Sequence, residues 1–575
     1  MPDAADVWVD GLTIGRVLQQ TVDRFPDQDA VVFPQLGIKQ SWSGFQSAVD
    51  AVARGLMALG IKPGDHVAVW ATNVPQWITL QFATARMGAV LVTINPAYRP
   101  FELQYVLQQS DAVALFLIDR FKTSNYFEML SSMLPELRAR VDAGITVDET
   151  APPLVSETFP KLRQVITMLD AAMSSAEPRA ELAGAHTWDQ MLTAGEPVSN
   201  NLLEQYAAQL EPSDPINIQY TSGTTGFPKA AMLSHRNLLM NAYYIGQCQQ
   251  LSDQDRICIP VPFYHCFGCV LGTLAAAVYG AAMIVPSAFF DAHATLAAIE
   301  QEQATAIYGV PTMFIAELED ASIEQRDLSS LRTGIMAGSP CPIEVMRKVI
   351  GRMGASEMTI AYGQTEASPV VTQTRTDDPL ELRVETVGRA IPQVEIKIVE
   401  PATGAELSDN EQGELCSRGH VVMLGYYNNP EATREAIDDE GWLHSGDLAI
   451  RLPNGYFKIT GRIKDMVIRG GENIYPREIE EFLFTHPSIE QSAVVGVPDP
   501  KYGEELCAWV KCKSDCALSE QELQDFCRAN LAHFKVPRYV RFVDEFPQTV
   551  TGKIQKFKIR ETMISELGLQ EPPTA

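Results

Sequence analysis

Short apolar runs alternate with longer stretches of helical periodicity through most of this 575-residue chain. Residues 66–71 (His-Val-Ala-Val-Trp-Ala) are short and almost wholly apolar, as a strand buried on both faces should be. Residues 76–87 follow as a helix, and 89–94 return as a strand. Segments 112–118, 164–168, 216–220, 281–285, 304–308 and 333–336 have the same strand character, with helical patterns such as 292–303 between them. This alternation predicts repeated βαβ units, hence an α/β fold on largely parallel sheets, with ligands at the loops after strand C-termini. Past about Gly388 the strands shorten and turn sequences multiply, at Asn410-Glu-Gln-Gly413, Asn428-Asn-Pro430 and Pro453-Asn-Gly455, predicting a β-rich subdomain. Beyond 462–464 a helix over 476–486 carries Ile479, Phe482 and Leu483 on one face. Strands at 493–497, 507–510 and 539–543 and a helix at 520–530 complete a small α+β domain. The predicted division is a large domain over 1–463 and a small one over 464–575.

Residues 267–290 contain no charge, which raises the question of a membrane span. They are rich in Ala and Gly and interrupted at Gly280 and Pro286, so a buried helix at 270–279 followed by a buried strand at 281–285 is the expectation. The N-terminal Met1-Pro-Asp-Ala-Ala-Asp has neither a basic segment nor an apolar core, so no signal peptide is expected.

Charge narrows the partners. The net charge of −27, from 72 acidic against 45 basic residues, argues against nucleic acid and against broad binding to anionic membranes, both of which need a basic face. Anionic ligands must then be held by local cations and backbone donors. The ten cysteines lack the close, even spacing of a disulfide framework, which points to a reducing, cytoplasmic setting. Cys266 and Cys269 form a CxxC without a second pair, a pattern that suits buried thiols better than zinc. A monomer or homodimer is expected.

The most distinctive stretch is Tyr220-Thr-Ser-Gly-Thr-Thr-Gly-Phe-Pro-Lys229. An apolar strand leads into small and hydroxylated residues, Thr221, Ser222, Gly223, Thr224, Thr225 and Gly226, and then Phe227, Pro228 and Lys229. Free backbone N–H groups, hydroxyls and one cation make a phosphate cradle. It is not a Walker A loop, because Pro228 precedes Lys229 and Ala230 follows it. Four more segments accompany it in order: Ala361-Tyr-Gly-Gln-Thr-Glu366, Trp442-Leu-His-Ser-Gly-Asp447, the long Gly461-Arg-Ile-Lys-Asp465 to Glu480 run, and Gln548-Thr-Val-Thr-Gly-Lys-Ile-Gln-Lys556. Together these resemble the adenylate-forming superfamily of acyl- and aryl-CoA synthetases, luciferases and adenylation domains, over nearly the whole chain.

The resemblance implies ATP and CoA as co-substrates and Mg²⁺ as the metal. It places Tyr362 by the adenine, Gly363 and Gln364 among the ATP-binding residues, Thr365 on phosphate, and Glu366 with Thr221 at the metal. Gly338, Ser339 and Pro340 belong to the nucleotide pocket. Asp447 is implied to accept the ribose hydroxyls, Arg462 to contact the nucleotide, and Lys464 to act as hinge. Gly470, Gly471 and Glu472 would border CoA, and Lys553 would be the catalytic lysine, acting with Glu366 and Thr221. A mobile small domain would present Lys553 for adenylation and then rotate to present residues 469–473 for thioester formation, around an active site between the domains.

Three segments, Tyr264-His265-Cys266-Phe267-Gly268, Gly309-Val310-Pro-Thr312 and Met336 to Pro340, correspond to the acyl and adenine walls of relatives. His265, Phe267, Gly268 and Val310 are the candidates for the acyl side. No charged group occurs in these segments, so a simple aliphatic acid is preferred over an amino acid or a dicarboxylate. Their wording looks most like medium- and long-chain fatty acyl-CoA synthetases. An aryl-CoA ligase, or an acyl-AMP ligase loading a carrier protein, uses the same machinery. A non-catalytic nucleotide sensor would lack Lys553 or Glu366. A Cys–His hydrolase on His265-Cys266 lacks an orienting third group.

Overall fold

Strand Glu357–Gly363 runs parallel to Thr333–Ala337, which runs parallel to Ala306–Gly309, and the series continues through Arg256–Cys258, Ala282–Ile284 and Asp29–Phe33. Antiparallel strands Val370–Gln373 and Arg389–Ala390 extend one edge, and Ile38–Ser41 closes the other, to give nine strands. This sheet belongs to a computed structural model that describes residues 7–145, 151–168, 182–221, 228–339, 341–469, 472–513, 518–549 and 553–569, with the backbone alone at Glu472 and Asn473. A second, eight-stranded sheet holds Pro215–Thr221, Val90–Thr93, His66–Trp70, Ala114–Leu117, Gln164–Thr167 and His186–Thr187 in parallel. Lys229–Ser234 and Gly425–Tyr426 add antiparallel strands beside Pro215–Thr221. The parallel α/β architecture expected from the alternating pattern is present.

These two sheets form one compact unit, Met1–Glu395 with Ser417–Leu443; Ile396–Cys416 and His444–Ala575 form another. The second unit is built on a four-stranded sheet, Val394–Val399, Gln412–Gly419, Leu443–Arg451 and Phe457–Arg462 in that order, whose outermost residues fall in the first unit. It also holds a five-stranded sheet in which the long hairpin Ile489–Asp499 and Gly503–Cys512 is flanked by Tyr539–Phe542 and Val467–Arg469. Helices Pro476–Leu483 and Glu520–Asn530 cover one side of that hairpin through Ile479, Leu483, Leu523 and Cys527. Lys556–Leu567 covers the other through Ile559 and Met563, beside Trp509 and Phe546. No helix among the described residues is long and apolar enough to cross a membrane.

Two elements differ from expectation. The helix predicted over 270–279 starts earlier: Phe267–Leu274 is wound in the wider π form, and only Ala275–Tyr279 is α-helical, ending at Gly280 with φ of 74°. Side-chain-free positions let this wide turn press on the segment 259–262 that follows strand Arg256–Cys258. A Cβ on Gly268 would lie 2.3 Å from the Pro262 carbonyl, and one on Gly272 2.9 Å from Ile259. Thr273 is drawn both to the Cys269 carbonyl and to Gln81 on the neighbouring helix, at 2.7 and 2.8 Å. Such inserted turns depend on tertiary contacts. The helix predicted to reach His486 ends at Leu483, because Thr485 and His486 close it with tighter turn bonds, to the Phe482 and Leu483 carbonyls, ahead of Pro487.

Helix His235–Gln249 begins at a capping box of Ser234 and Asn237, and its first residue has a consequence for acid stability. The His235 imidazole is fully buried with Nδ1 accepting the Ile14 N–H at 3.2 Å, and burial pushes its pKa down to about 3. His420 is buried too and is pushed down to about 4, the Pro392 carbonyl only partly opposing the effect of burial. Both are neutral when folded but protonate near 6.5 when unfolded. Their contribution is therefore complete above pH 6.5 and is lost as pH falls toward 4 and 3. Each costs about 1.4 kcal/mol per pH unit in that window. Urea-denaturation midpoints should fall steadily from pH 6.5 to 5, before most carboxylates titrate; midpoints that stay constant over this interval would contradict the assignment.

Candidate functional site

In the first unit, the sequence-predicted residues converge on the C-terminal ends of the parallel strands. Thr221 is the last residue of Pro215–Thr221 and the register partner of Lys229 on the antiparallel return strand. Its hydroxyl donates to Glu366 Oε1 at 3.1 Å, so the strand that leads into the predicted phosphate loop meets the acidic residue that follows Glu357–Gly363 of the other sheet. Tyr426 completes this junction. Its hydroxyl donates to the same carboxylate oxygen at 2.8 Å, and the Lys229 ammonium stands over its ring at 5.1 Å. Burial, and then the Glu366 charge, hold the Tyr426 phenol well above its ordinary range, so it remains a donor. No motif had pointed to Tyr426; the only hint was a Gly-Tyr-Tyr run without a function of its own.

Glu366 lies in a short turn, Thr365–Ala367, directly after the strand. The preceding Gly363 is needed there, since a Cβ would sit 1.8 Å from the Pro369 carbonyl oxygen. Tyr362 and Gln364 are partly exposed, and Thr365 is buried with its hydroxyl 3.6 Å from Cys266 Sγ. That contact joins the Tyr-Gly-Gln-Thr-Glu segment to the predicted acyl wall. Cys266 is a poor nucleophile: burial pushes its thiol up to about 12, and its sulfur lies 3.8 Å from His265 Nδ1. His265 Nδ1 accepts the Phe267 N–H at 3.2 Å, while the ring itself is exposed. Phe267 is buried and packs on Tyr308 with centroids 5.9 Å apart. Val310 begins helix Pro311–Glu319, and a Cβ at Gly338 would meet its Cγ1 at 3.1 Å, so these two walls touch. Ser339 is half-buried at the end of the same strand loop.

The second unit holds the other group. Asp447, only 4% exposed, pairs across the hairpin with Arg462, Oδ1 to Nε at 2.9 Å. The turn before it is fixed by Ser445, whose hydroxyl accepts the Asp447 N–H at 3.0 Å, and by Glu414, which accepts the Gly446 N–H at 2.9 Å. Gly446 has φ of 70°, a conformation glycine takes without strain. Lys464 is exposed in the tight turn Ile463–Asp465. Arg469 is held by the buried Glu505 and stacks on the Tyr502 ring at 4.5 Å.

Lys553 sits at a strand bridge, its N–H donating to Thr549 Oγ1 at 3.1 Å while its carbonyl accepts the Thr549 N–H. Its side chain keeps contact with solvent, yet the surrounding protein pushes the ammonium down to about 8, with the Arg462 charge adding to the effect and Asp447 and Asp465 opposing it. The neighbouring Lys556 bonds Glu480 at 2.7 Å and opens a helix, so the basic cluster is not a loose tail. Ser222, Gly223, Thr224, Thr225, Gly226, Phe227, Pro340, Gly470 and Gly471 lie outside the described residues, as does the Glu472 side chain.

Comparisons with known proteins find two family models along the chain. Residues 18–427 match the family model described as AMP-binding enzyme, and residues 478–553 match the AMP-binding enzyme C-terminal domain. A Bacillus subtilis (strain 168) protein named putative acyl-CoA synthetase YngI is 51% identical over 558 residues, 97% of this chain and 98% of that protein. The mitochondrial medium-chain acyl-CoA ligase ACSF2 of Danio rerio is 44% identical, across 97% of this chain and 89% of its own length. Among solved structures, an ATP-bound RpMatB-BxBclM chimera superposes with a TM-score of 0.79 at 28% identity, covering 96% of this chain and 99% of the other. The anthranilate CoA ligase AuaEII, in complex with anthranoyl-AMP, shares the fold with a TM-score of 0.81 at 24% identity, covering 97% and 98%.

Proposed function

The chain belongs to the AMP-binding enzymes, and we propose that it is an acyl-CoA synthetase acting on medium- to long-chain fatty acids. Its reaction is the ATP-dependent joining of a carboxylic acid to the thiol of CoA. In the first half, a carboxylate oxygen attacks the α-phosphorus, the bond to the bridging oxygen breaks, and pyrophosphate leaves. In the second, the CoA sulfur attacks the acyl carbonyl and AMP leaves. The observation that carries the reading is the Thr221–Glu366 contact, which joins two separate sheets at the place where a polyphosphate would end its strand-terminal cradle.

Each anion needs neutralising and aligning. Lys229 and the 222–227 loop would hold the β- and γ-phosphates, Thr365 a further phosphate oxygen, and Tyr362 the adenine. Thr221 and Glu366 fit Mg²⁺: a hydroxyl and a carboxylate 3.1 Å apart are hard oxygen donors of the kind that ion takes alongside phosphate. When bound there, Mg²⁺ would supply charge neutralisation on the polyphosphate oxygens. Asp447 would accept the ribose hydroxyls, oriented by Arg462, and Lys553 would bridge the attacking carboxylate and the α-phosphate. A rotation about Lys464 would then withdraw Lys553 and bring the 469–473 edge to CoA. The fatty preference rests on uncharged walls at 264–268, 309–312 and 336–340, and on relatives bearing acyl-CoA synthetase and medium-chain ligase names. A cytoplasmic setting is part of the same proposal.

Acid-dependent ATP–pyrophosphate exchange over aliphatic, aromatic and amino acids, repeated for thioester product with CoA, tests this. For aliphatic acids, kcat/KM should rise about fourfold per added methylene until the pocket is filled, the equivalent of about 0.8 kcal/mol per buried CH₂. Exchange confined to aromatic acids would replace the fatty reading by the aryl one. Exchange without CoA product would replace CoA by a carrier protein.

A further inference from the structure

In the second unit, three side chains to which the reaction gives no role bring a carboxylate oxygen, a thiol sulfur and an imidazole nitrogen within 4.8 Å of one another: Glu414, Cys416 and His444. Glu414 and Cys416 are two residues apart on strand Gln412–Gly419 and so share a face. His444 lies on the adjoining strand Leu443–Arg451. Its Nδ1 is 2.9 Å from Glu414 Oε2 and 3.4 Å from Cys416 Sγ. Cys416 is fully buried and Glu414 8% exposed, whereas the His444 side chain is 31% exposed, which leaves the imidazole side as the entry.

We propose that these residues form a binding site for a thiophilic divalent cation, with Zn²⁺ the best match and water as fourth ligand. One sulfur, one nitrogen and one oxygen donor form a borderline-soft set that suits Zn²⁺ and not Mg²⁺ or Ca²⁺. Tetrahedral zinc with ordinary bond lengths puts its sulfur and nitrogen ligands about 3.5 Å apart and its nitrogen and oxygen ligands about 3.3 Å apart. The sulfur–nitrogen distance is already there, the imidazole and carboxylate need to open by about 0.4 Å, and the sulfur and carboxylate oxygen lie within 4.8 Å of each other. On binding, Cys416 releases its proton to solvent, and His444 carries its proton on Nε2 so that Nδ1 offers its lone pair. No redox change occurs and one proton leaves. Glu414 Oε1 keeps the Gly446 N–H throughout, so the cation shares a carboxylate with the turn that carries Asp447.

The purified full-length protein, stripped of metal, should be titrated with Co²⁺ alone, read by its thiolate-to-cobalt charge-transfer absorption, and then with Zn²⁺. Binding of one Co²⁺ per chain with release of about one proton, then its displacement by Zn²⁺ with no further proton release, is the expected result. The C416S variant should lose the band and weaken Co²⁺ binding by about tenfold or more. H444N, altered at the solvent edge where refolding of the core is not at issue, should weaken it similarly. C512S, in the same unit, should behave as wild type. Absence of a band in the wild type, or an undiminished band in C416S, would overturn the site and leave a hydrogen-bonded triad.

Discussion

Lys553→Ala is expected to lower acyl-AMP formation by about 10²–10³-fold, while thioester formation from supplied acyl-AMP continues near the wild-type rate. The magnitude is that of removing one preorganised group that stabilises charge developing in a transition state, about 3–4 kcal/mol. The split follows from the proposed division of labour. In that scheme Lys553 bridges two anions only while phosphorus is under attack, and once acyl-AMP exists there is no carboxylate left to bridge. Equal loss in both half-reactions would sink the two-pose scheme. The same residue gives the adenylation half a pH signature. Because its ammonium is pushed down to about 8, the cation predominates below that pH and is lost above it. Adenylation kcat/KM, which reports the free enzyme, should decline above pH 8, and the thioester half should not. In Lys553→Arg the decline should vanish whatever the residual rate, since a guanidinium keeps its charge.

Glu366→Gln is the second large effect. The carboxamide is nearly isosteric and can still accept from Thr221 or Tyr426, which now donate to Glu366 Oε1 at 3.1 and 2.8 Å. What it removes is the negative charge facing the proposed Mg²⁺. Pyrophosphate exchange should fall about 10²-fold or more, and the Mg²⁺ concentration for half-maximal rate should rise, with thermal stability little changed. The Tyr426→Phe variant separates charge from scaffold. It removes a hydrogen bond to an ionised group, an effect of about 1.5–3 kcal/mol, and leaves the carboxylate in place. An E366Q enzyme with the wild-type Mg²⁺ response would remove Glu366 from the metal site.

Much of the fold was legible because parallel strands are buried on both faces and so appear as uninterrupted apolar runs. Residues 216–220 and 333–336 fall inside observed strands for that reason, and of 66–71 all but Ala71 do. The wide helical turn at Phe267–Leu274 was not legible, since it goes with the close approach of Gly268 to Pro262 and Gly272 to Ile259 and with the Thr273 bond to Gln81, none of which periodicity records. Helix Lys556–Leu567 was obscured by Lys556, Lys558 and Arg560, although Ile559 and Met563, four apart and both buried, carried its signal. Thr221, Lys229 and Glu366 belong to two separate motifs and lie together around Tyr426. Tyr426 had no local pattern that could say it would reach a carboxylate 60 residues earlier. The Asp447–Arg462 pairing was likewise invisible, because it needs the hairpin register that sets those two residues opposite each other.

The pairing of Thr221 with Lys229 closes a ring of chain whose ends are pinned by the sheet. Closing a loop costs entropy that grows only with the logarithm of its length, so one added residue would change folding stability by about 0.1 kcal/mol. If 222–227 is the phosphate cradle proposed above, the same residue would also shift its donors relative to a phosphate of fixed size. On that reading, length in this ring is nearly silent to selection for stability and exposed to selection for turnover. Variants of altered loop length would pass a thermal-melt screen unnoticed while failing an activity screen.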